Sequence, residues 1–272
     1  MKKSAVFLLI LTALSLFACS NQEIYDQEKA GALRVYCFEN AGALFLKAEA
    51  GTVLINTGGR EESRMVLQTL KEQQISRIDL LVLSSFSESA MGGAARIIEN
   101  LEIGAVYEPS CRNKDDAARQ YYEALSSKDI IPVVLSENVQ LTAALDGVLS
   151  LYISDDRMQS SLDRTVAVKA ELSGRRIVFF PDLQESALSH FINKGYDWSC
   201  DFLFIPKGWN QQSLDTLISL TRPAAVALSC SEQEPAEADE QFAAVGCTVY
   251  HLHEERTCFI CAEDNLIPEP TE

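Results

Sequence analysis

The fold is decided by the stretch Ile78–Gly93, which reads IDLLVLSSFSESAMGG. Its first part, Ile78–Leu83, has the length and β-branched content of a strand that is buried on both faces. Its second part, Ser84–Gly93, is a polar loop that ends in a glycine pair, and a helical pattern starts at Ala94. A loop that leads from the carboxyl end of a buried strand to a helix is a usual place for chemistry in α/β proteins. We therefore expect the functional site at this loop.

The loop resembles the second motif of the metallo-β-lactamase superfamily, most closely the ComEC-like extracytoplasmic domain of competence DNA-uptake proteins. That motif reads Thr-His-x-His-x-Asp-His-x-Gly-Gly after a hydrophobic strand. In this chain Ser84 takes the Thr position and Ser89 the Asp position. The three His positions hold Ser85, Ser87 and Ala90, and the glycines remain as Gly92 and Gly93. The resemblance implies a four-layer αββα sandwich that has lost the zinc ligands of this motif.

The same resemblance extends toward the amino terminus. Three short strands are predicted at Leu33–Glu39, Ala43–Glu49 and Thr52–Asn56, separated by turns that contain glycine. Asn56-Thr57-Gly58-Gly59 follows, where the superfamily has Asp-Thr-Gly-Gly. Asparagine keeps the hydrogen-bonding shape of aspartate but loses the negative charge that would favour a nearby cation.

Toward the carboxyl terminus, strands and helices alternate, and Thr165–Leu172 and Arg176–Phe180 form a predicted hairpin around Ser173-Gly174. Asp182 then matches the aspartate that bridges the two metals in active superfamily members. Glu185 follows three residues later, which is the spacing of a capping box at a helix start. We favour capping or pocket structure over metal binding for Asp182.

Pro206-Lys207-Gly208-Trp209 stands where ComEC-like domains carry Pro-His-His-Gly. Lys207 therefore occupies a histidine position. Its ammonium group could neutralise the carboxylates of Asp182 or Glu88, and the alternative is an exposed lysine.

The remaining histidines and cysteines do not form a convincing metal site. His190 lies in a predicted helix, whereas His251 and His253 share a strand face without a third ligand nearby. Cys258 and Cys261 are three residues apart on a strand, so they point to opposite faces. Cys247–Leu252 and Thr257–Ala262 are predicted to form a closing hairpin, across which Cys247 and Cys258 could form a disulfide.

The amino terminus predicts secretion and lipid anchoring. Residues 1–18 combine a basic start with a short apolar stretch, and Leu16-Phe17-Ala18-Cys19 resembles a lipoprotein cleavage box. The predicted protein carries a lipid on Cys19, which would hold it at the cell membrane on the extracytoplasmic side. Residues 19–31 form a tether, 32–265 the metallo-β-lactamase-like domain and 266–272 a tail. An ordinary secretory signal is the alternative.

Composition limits the partners. The 272-residue chain has a formal net charge of −16, and loss of Lys2 and Lys3 with the signal takes it to −18. Binding of nucleic acid relies on lysine and arginine to neutralise phosphates, so nucleic acid is an unlikely partner. The same charge argues against contact with an anionic bilayer surface. Hydrophobic residues make up 47% of the chain, enough for one large core.

The sequence favours a non-catalytic protein that binds a ligand or partner of unknown identity, without a metal or other cofactor. The vestigial pocket is predicted to contain Asn56, Thr57, Ser85, Ser87, Ser89, Ala90, Asp182 and Lys207. The alternative is a ComEC-like metallo-hydrolase of phosphodiester or ester bonds, with a link to DNA uptake. A serine nucleophile is not supported, because neither a nucleophile elbow nor a nearby histidine accompanies the serines.

Overall fold

The structure is a computed structural model of the chain. It describes residues 32–38, 40–110, 115–142, 146–154, 164–181, 185–206, 211–228, 235–252, 256–262 and 265–269. Cys19, Asp182, Lys207 and His253 lie outside these ranges.

The described residues form fifteen strands and seven helices. The strands are β1 (Leu33–Phe38), β2 (Ala43–Ala48), β3 (Gly51–Ile55), β4 (Arg77–Val82), β5 (Glu102–Pro109), β6 (Val133–Leu135), β7 (Val139–Leu141), β8 (Gly147–Ile153), β9 (Val166–Leu172), β10 (Arg175–Phe179), β11 (Phe202–Ile205), β12 (Ala225–Leu228), β13 (Thr248–His251), β14 (Thr257–Ala262) and β15 (Asn265–Pro268). The helices are α1 (Ser63–Glu72), α2 (Glu88–Met91), α3 (Ala94–Asn100), α4 (Asp116–Ser127), α5 (Glu185–Asn193), α6 (Gln211–Thr221) and α7 (Pro235–Ala244).

The strands form two sheets. One has the order β15-β14-β1-β2-β3-β4-β5-β6, and the other has the order β13-β12-β11-β10-β9-β8-β7. Each sheet has an antiparallel part and a parallel part. The parallel part consists of strands β3–β6 in the first sheet and of strands β10–β13 in the second. The predicted hairpin is confirmed as β9 and β10, and Ser173 (φ 49°) and Gly174 (φ 73°) form its turn.

Three buried clusters hold the layers together. The first lies between the two sheets and includes Val35, Leu46 and Phe204. The second packs the outer face of the first sheet against α1, α3 and α4, and the third packs the second sheet against α5, α6 and α7. The order of layers is helix, sheet, sheet, helix, which is the four-layer αββα metallo-β-lactamase-type sandwich that the sequence predicts.

The predicted closing hairpin is wrong. β13 pairs in parallel with β12 in the second sheet, whereas β14 pairs with β1 in the first, so the chain crosses between the sheets after β13. Cys247 consequently packs in the outer cluster of the second sheet and Cys258 beside the helices of the first, and both thiols are free. The disulfide considered between them does not form.

The chain continues as β15 after β14, so residues 266–268 of the predicted tail pair with the first sheet. Cys258 and Cys261 contact different clusters on the two faces of β14, which confirms that they point apart. Within the described residues, no helix has the length and apolar character needed to cross a membrane.

Candidate functional site

The loops at the carboxyl ends of four strands meet at one edge of the sandwich. Asn56 follows β3, Ser84–Ala90 follow β4, Pro181 follows β10 and Pro206 follows β11. Together with the turn between β1 and β2 they enclose a cavity of about 100 Å³, which we call the serine cavity. Its lining residues are Asn40, Gly42, Asn56, Ser84, Ser85, Ser87, Ser89, Ala90, Pro181 and Pro206.

Asn56 connects the loops through its amide group. Its Oδ1 accepts a hydrogen bond from the Ser84 backbone N–H (2.9 Å), and its Nδ2 donates to the Gly42 carbonyl (3.2 Å). Its backbone has a φ of 60°, a left-handed conformation that asparagine tolerates better than most residues. An aspartate here could accept the first bond but could not donate the second. The asparagine therefore suits a structural link between the two loops.

Thr57 lies beneath the cavity and is not among its lining residues. Its backbone N–H donates to the Ala90 carbonyl (2.8 Å), and its hydroxyl donates to the same carbonyl (3.2 Å). The side chain is fully buried. Thr57 therefore fixes the end of the serine loop.

The three serines in the ligand positions bond to one another. Ser85 Oγ and Ser87 Oγ are 2.9 Å apart, and Ser87 Oγ and Ser89 Oγ are 3.1 Å apart. We call these three hydroxyls the serine row. Ser87 also caps the short helix α2, because its Oγ accepts from the Ala90 N–H (3.3 Å). The side chains converge as metal ligands would, but they satisfy each other.

Ser84 joins the two sheets through its backbone while its hydroxyl is unused. Its carbonyl accepts from the Val166 N–H on β9 (2.8 Å), and its N–H donates to Asn56. The residue is fully buried, and its Oγ has no hydrogen-bond partner within the part of the chain that the structure describes. Because Ser84 also lines the cavity, this hydroxyl is the polar group there with unmet bonding capacity.

A buried carboxylate supports the serine loop from below. The Phe86 ring packs on the rings of Tyr121 and Tyr122, with centroids 6.1 and 6.2 Å away. Both tyrosine hydroxyls donate to the Glu108 carboxylate, at 2.5 and 2.9 Å, and Glu108 is 1% exposed. Sequence reasoning missed this network, although a glutamate near the end of an otherwise apolar strand was a usable signal.

The glycine pair has a packing role that does not depend on a metal. A side chain at Gly93 would overlap the Ser63 side chain at the start of α1. The Gly93 N–H also donates to the Gly58 carbonyl (2.9 Å), which joins this loop to the turn after β3. Gly58, where a side chain would meet Ala41, and Gly93 are thus needed for close packing, one from each glycine pair.

The structure brings Asn56, Ser85, Ser87, Ser89 and Ala90 together at the cavity. Asp182 and Lys207 lie outside the described residues, but each directly follows a proline that lines the cavity. The capping role of Asp182 therefore stays a prediction.

The described lining of the serine cavity does not fit a zinc ion. Zinc in proteins is held by thiolate, imidazole and carboxylate groups, whereas the described lining offers neutral hydroxyls and amides. No group of three or more His, Cys, Asp or Glu residues that could hold a metal occurs within the described ranges. His190 instead packs edge-on against Phe191 in α5, with ring centroids 5.6 Å apart.

Comparison with known proteins agrees with the fold. No protein-family model matches the chain, and no curated protein matches it. Among solved structures, the metallo-β-lactamase fold protein YhfI from Bacillus subtilis is similar with a TM-score of 0.60 and 10% identity, covering 85% of this chain and 100% of that one. The metallo hydrolase Igni18 from Ignicoccus hospitalis has a TM-score of 0.52 and 13% identity, covering 89% and 100%.

A third similar structure is Zn²⁺-bound PqqB from Methylobacterium extorquens. Its TM-score is 0.50 at 11% identity, with 77% of this chain and 84% of that one covered. At these identities the similarity establishes the metallo-β-lactamase type of fold and leaves the chemistry of the site to be argued from this chain's own residues.

Proposed function

We propose that this protein is a lipid-anchored, extracytoplasmic protein of metallo-β-lactamase fold that binds a ligand or partner in the serine cavity without catalysing a reaction. The observation that carries the proposal is the serine row. At positions where the motif has two histidines and an aspartate, three hydroxyls lie within 3.1 Å of their neighbours and bond to one another. The pocket geometry is kept while the groups that would hold zinc are replaced.

The chemistry of the lining supports a binding role. A hydrolytic zinc site needs ligands that hold the ion with an open position for a hydroxide. Neutral serine hydroxyls do not supply the negative charge or the imidazole nitrogens for this. They do supply hydrogen-bond donors and acceptors for a polar molecule.

In the proposed site Lys207 helps to neutralise the carboxylate of Asp182, with an ammonium where an active relative has a metal ligand. This part of the proposal is supported by Pro181 and Pro206, because each lines the cavity and directly precedes one of the charged residues. Glu88, the other candidate partner, accepts a hydrogen bond from the Arg60 N–H (3.1 Å) and is not among the residues that line the cavity. Replacement of Asp182 by Ala should lower stability and leave the metal content of the protein unchanged.

The alternative function is a metal-dependent hydrolase of phosphodiester or ester bonds. Asp182 favours it, because this residue matches a metal-bridging position of the superfamily. A role in DNA uptake is less favoured, since the net charge of −16 opposes binding of a polyanion.

Hydrolysis assays on the purified full-length protein test the proposal. With bis(p-nitrophenyl) phosphate and p-nitrophenyl acetate, in the presence of added zinc or manganese, we expect rates equal to those of the buffer. Saturable hydrolysis that is lost on chelation of the metal and in Asp182→Ala would establish the hydrolase instead.

A further inference from the structure

We propose that the serine cavity binds an uncharged ligand through its hydroxyl groups, as a polyol or a sugar would offer. This inference rests on the proposed binding function and specifies the chemical class of the ligand. Three observations carry it: the described lining of the cavity is uncharged, the serine row can both donate and accept hydrogen bonds, and the hydroxyl of Ser84 has no partner in the described part of the chain.

The described lining of the cavity is neutral. It consists of serine and asparagine side chains, glycine, alanine and two prolines. A charged ligand that contacts only this described lining gives up its hydration without gaining an opposite charge, which is strongly unfavourable.

The serine row suits a partner that both donates and accepts. Three hydroxyls supply three donors, and their two mutual bonds use two of them. Either atom of each pair can be the donor, so the row can present a donor or an acceptor at its end. A ligand hydroxyl has both capacities, whereas an oxyanion only accepts and an ammonium only donates.

Ser84 provides the second, independent observation. Its hydroxyl is fully buried, and it has no partner among the described residues. A buried polar group without a hydrogen bond destabilises a protein. A turn of the Ser84 side chain toward the cavity that it lines would let a ligand hydroxyl remove that penalty. The free protein therefore tolerates an unfavourable group at a place where ligand binding would make it favourable.

The size of the cavity limits what enters it. Its volume of about 100 Å³ holds the equivalent of about three water molecules at ~30 Å³ each. That is room for one hydroxylated end of a ligand. Asn40 also lines an adjoining cavity of about 480 Å³ next to α1. The lining of this second cavity includes Phe38, Ala41 and Met65. The rest of a longer ligand can extend into this second cavity.

The test is an NMR titration of the isotope-labelled full-length protein with glycerol and D-glucose, followed by inorganic phosphate and zinc sulfate. We expect the polyol or the sugar to shift the amide signals of residues 84–90 saturably. Ser84→Ala should weaken this binding about tenfold, equivalent to one lost hydrogen bond, and should raise the melting temperature of the free protein. A purely structural serine would not produce these opposite changes.

Ser87→Ala should weaken binding as well, and Ser126→Ala on the exposed face of α4 is the matched control that should not. Shifts with phosphate but not with glycerol or glucose would overturn the ligand class and leave the non-catalytic function standing. Saturable zinc binding at residues 84–90 would overturn the proposed function itself. If none of the four probes shifts these signals, the inference is wrong, while the proposed function is judged by metal content.

Discussion

Asn56 holds the serine loop in place. Its amide donates to the Gly42 carbonyl and accepts from the Ser84 N–H, so one side chain ties two loops together. An aspartate would restore the superfamily residue but would lose the donor and bury a charge. The aspartate of the superfamily motif would therefore disfavour this arrangement of the two loops.

Asn56→Asp should lower the free energy of unfolding by about 2–3 kcal/mol, because a residue that is 3% exposed would carry a charge and leave the Gly42 carbonyl without its donor. Chemical denaturation measures the change. Asn100→Asp, an exposed substitution of the same kind at the end of α3, should change stability little. Equal stability of Asn56→Asp and the unmodified protein would contradict the structural role of the amide.

At the scale of elements, the serine loop depends on the packing between β5 and α4. Phe86 rests on Tyr121 and Tyr122, and both hydroxyls donate to Glu108. The loop is therefore held by its aromatic residue from one side and by Asn56 and Thr57 from the other. A ligand site in this loop would be rigid before the ligand arrives.

Glu108→Gln should destabilise the protein by roughly 1–3 kcal/mol, because a glutamine oxygen can replace only one of the two carboxylate acceptors. The loss should be accompanied by faster hydrogen exchange at residues 84–90. Glu99→Gln, at an exposed position on α3, is the matched control. Unchanged exchange in the loop of Glu108→Gln would show that the network does not support the site.

A second contact between secondary-structure elements joins the starts of β10 and β11, at the end away from the cavity. Arg176 holds the Asp201 carboxylate through its backbone N–H (2.8 Å) and its guanidinium Nη2 (2.9 Å). Burial opposes ionisation of Asp201, but the hydrogen bonds from Arg176 outweigh it and lower the pKa of the carboxyl below its usual value. A lowered pKa means that the ionised form stabilises the fold.

Asp201→Asn should therefore cost roughly 1–2 kcal/mol at neutral pH. The stabilisation by the ionised Asp201 carboxyl is complete above the ordinary aspartate pKa of about 4. It is lost as the pH falls through the lowered pKa that this carboxyl has in the folded protein. The difference between the unmodified protein and Asp201→Asn should thus shrink in acid, as followed by denaturation at several pH values. Asp146→Asn at an exposed turn should show no such trend. A difference that grows on acidification would refute the stabilising role of the ionised carboxyl.

At the scale of the molecule, sequence patterns predicted most strands and helices because periodicity and glycine turns are local signals. They predicted β13 and β14 as strands but paired them wrongly, because the two strands are separated by a short connection yet belong to different sheets. Local spacing does not reveal which sheet a strand joins. The glutamate–tyrosine network was missed for the same reason, since Glu108 and Tyr121 meet only in the folded chain. The serines of the site were found because a motif fixes their positions.

Packing also determines the protonation state of the cysteine thiols. Burial raises the pKa of Cys261 to about 11 and that of Cys247 to about 12, so these thiols are protonated at neutral pH. Thiolate is the reactive form of cysteine, and both residues are therefore expected to act as small hydrophobic groups.

Anchoring is a prediction about the whole molecule. Cys19→Ser should remove the lipid and move the protein from the detergent phase to the aqueous phase when cell membranes are extracted with a phase-separating detergent. The acidic body, with a net charge of −18 once Lys2 and Lys3 are removed, should not rebind anionic vesicles. A Cys19→Ser protein that stays in the detergent phase would exclude a lipid on Cys19 as the anchor.

The most direct measurement is the zinc content of the full-length protein, purified from zinc-supplemented cells and analysed by elemental mass spectrometry. We expect far less than one zinc ion per chain, because the described lining of the cavity offers neutral serine and asparagine groups. Ser85→His/Ser87→His should bind more zinc than the unmodified protein, since the two Oγ atoms are 2.9 Å apart and imidazoles there would converge. About two zinc ions per unmodified chain, as in binuclear hydrolytic sites, would contradict the non-catalytic role.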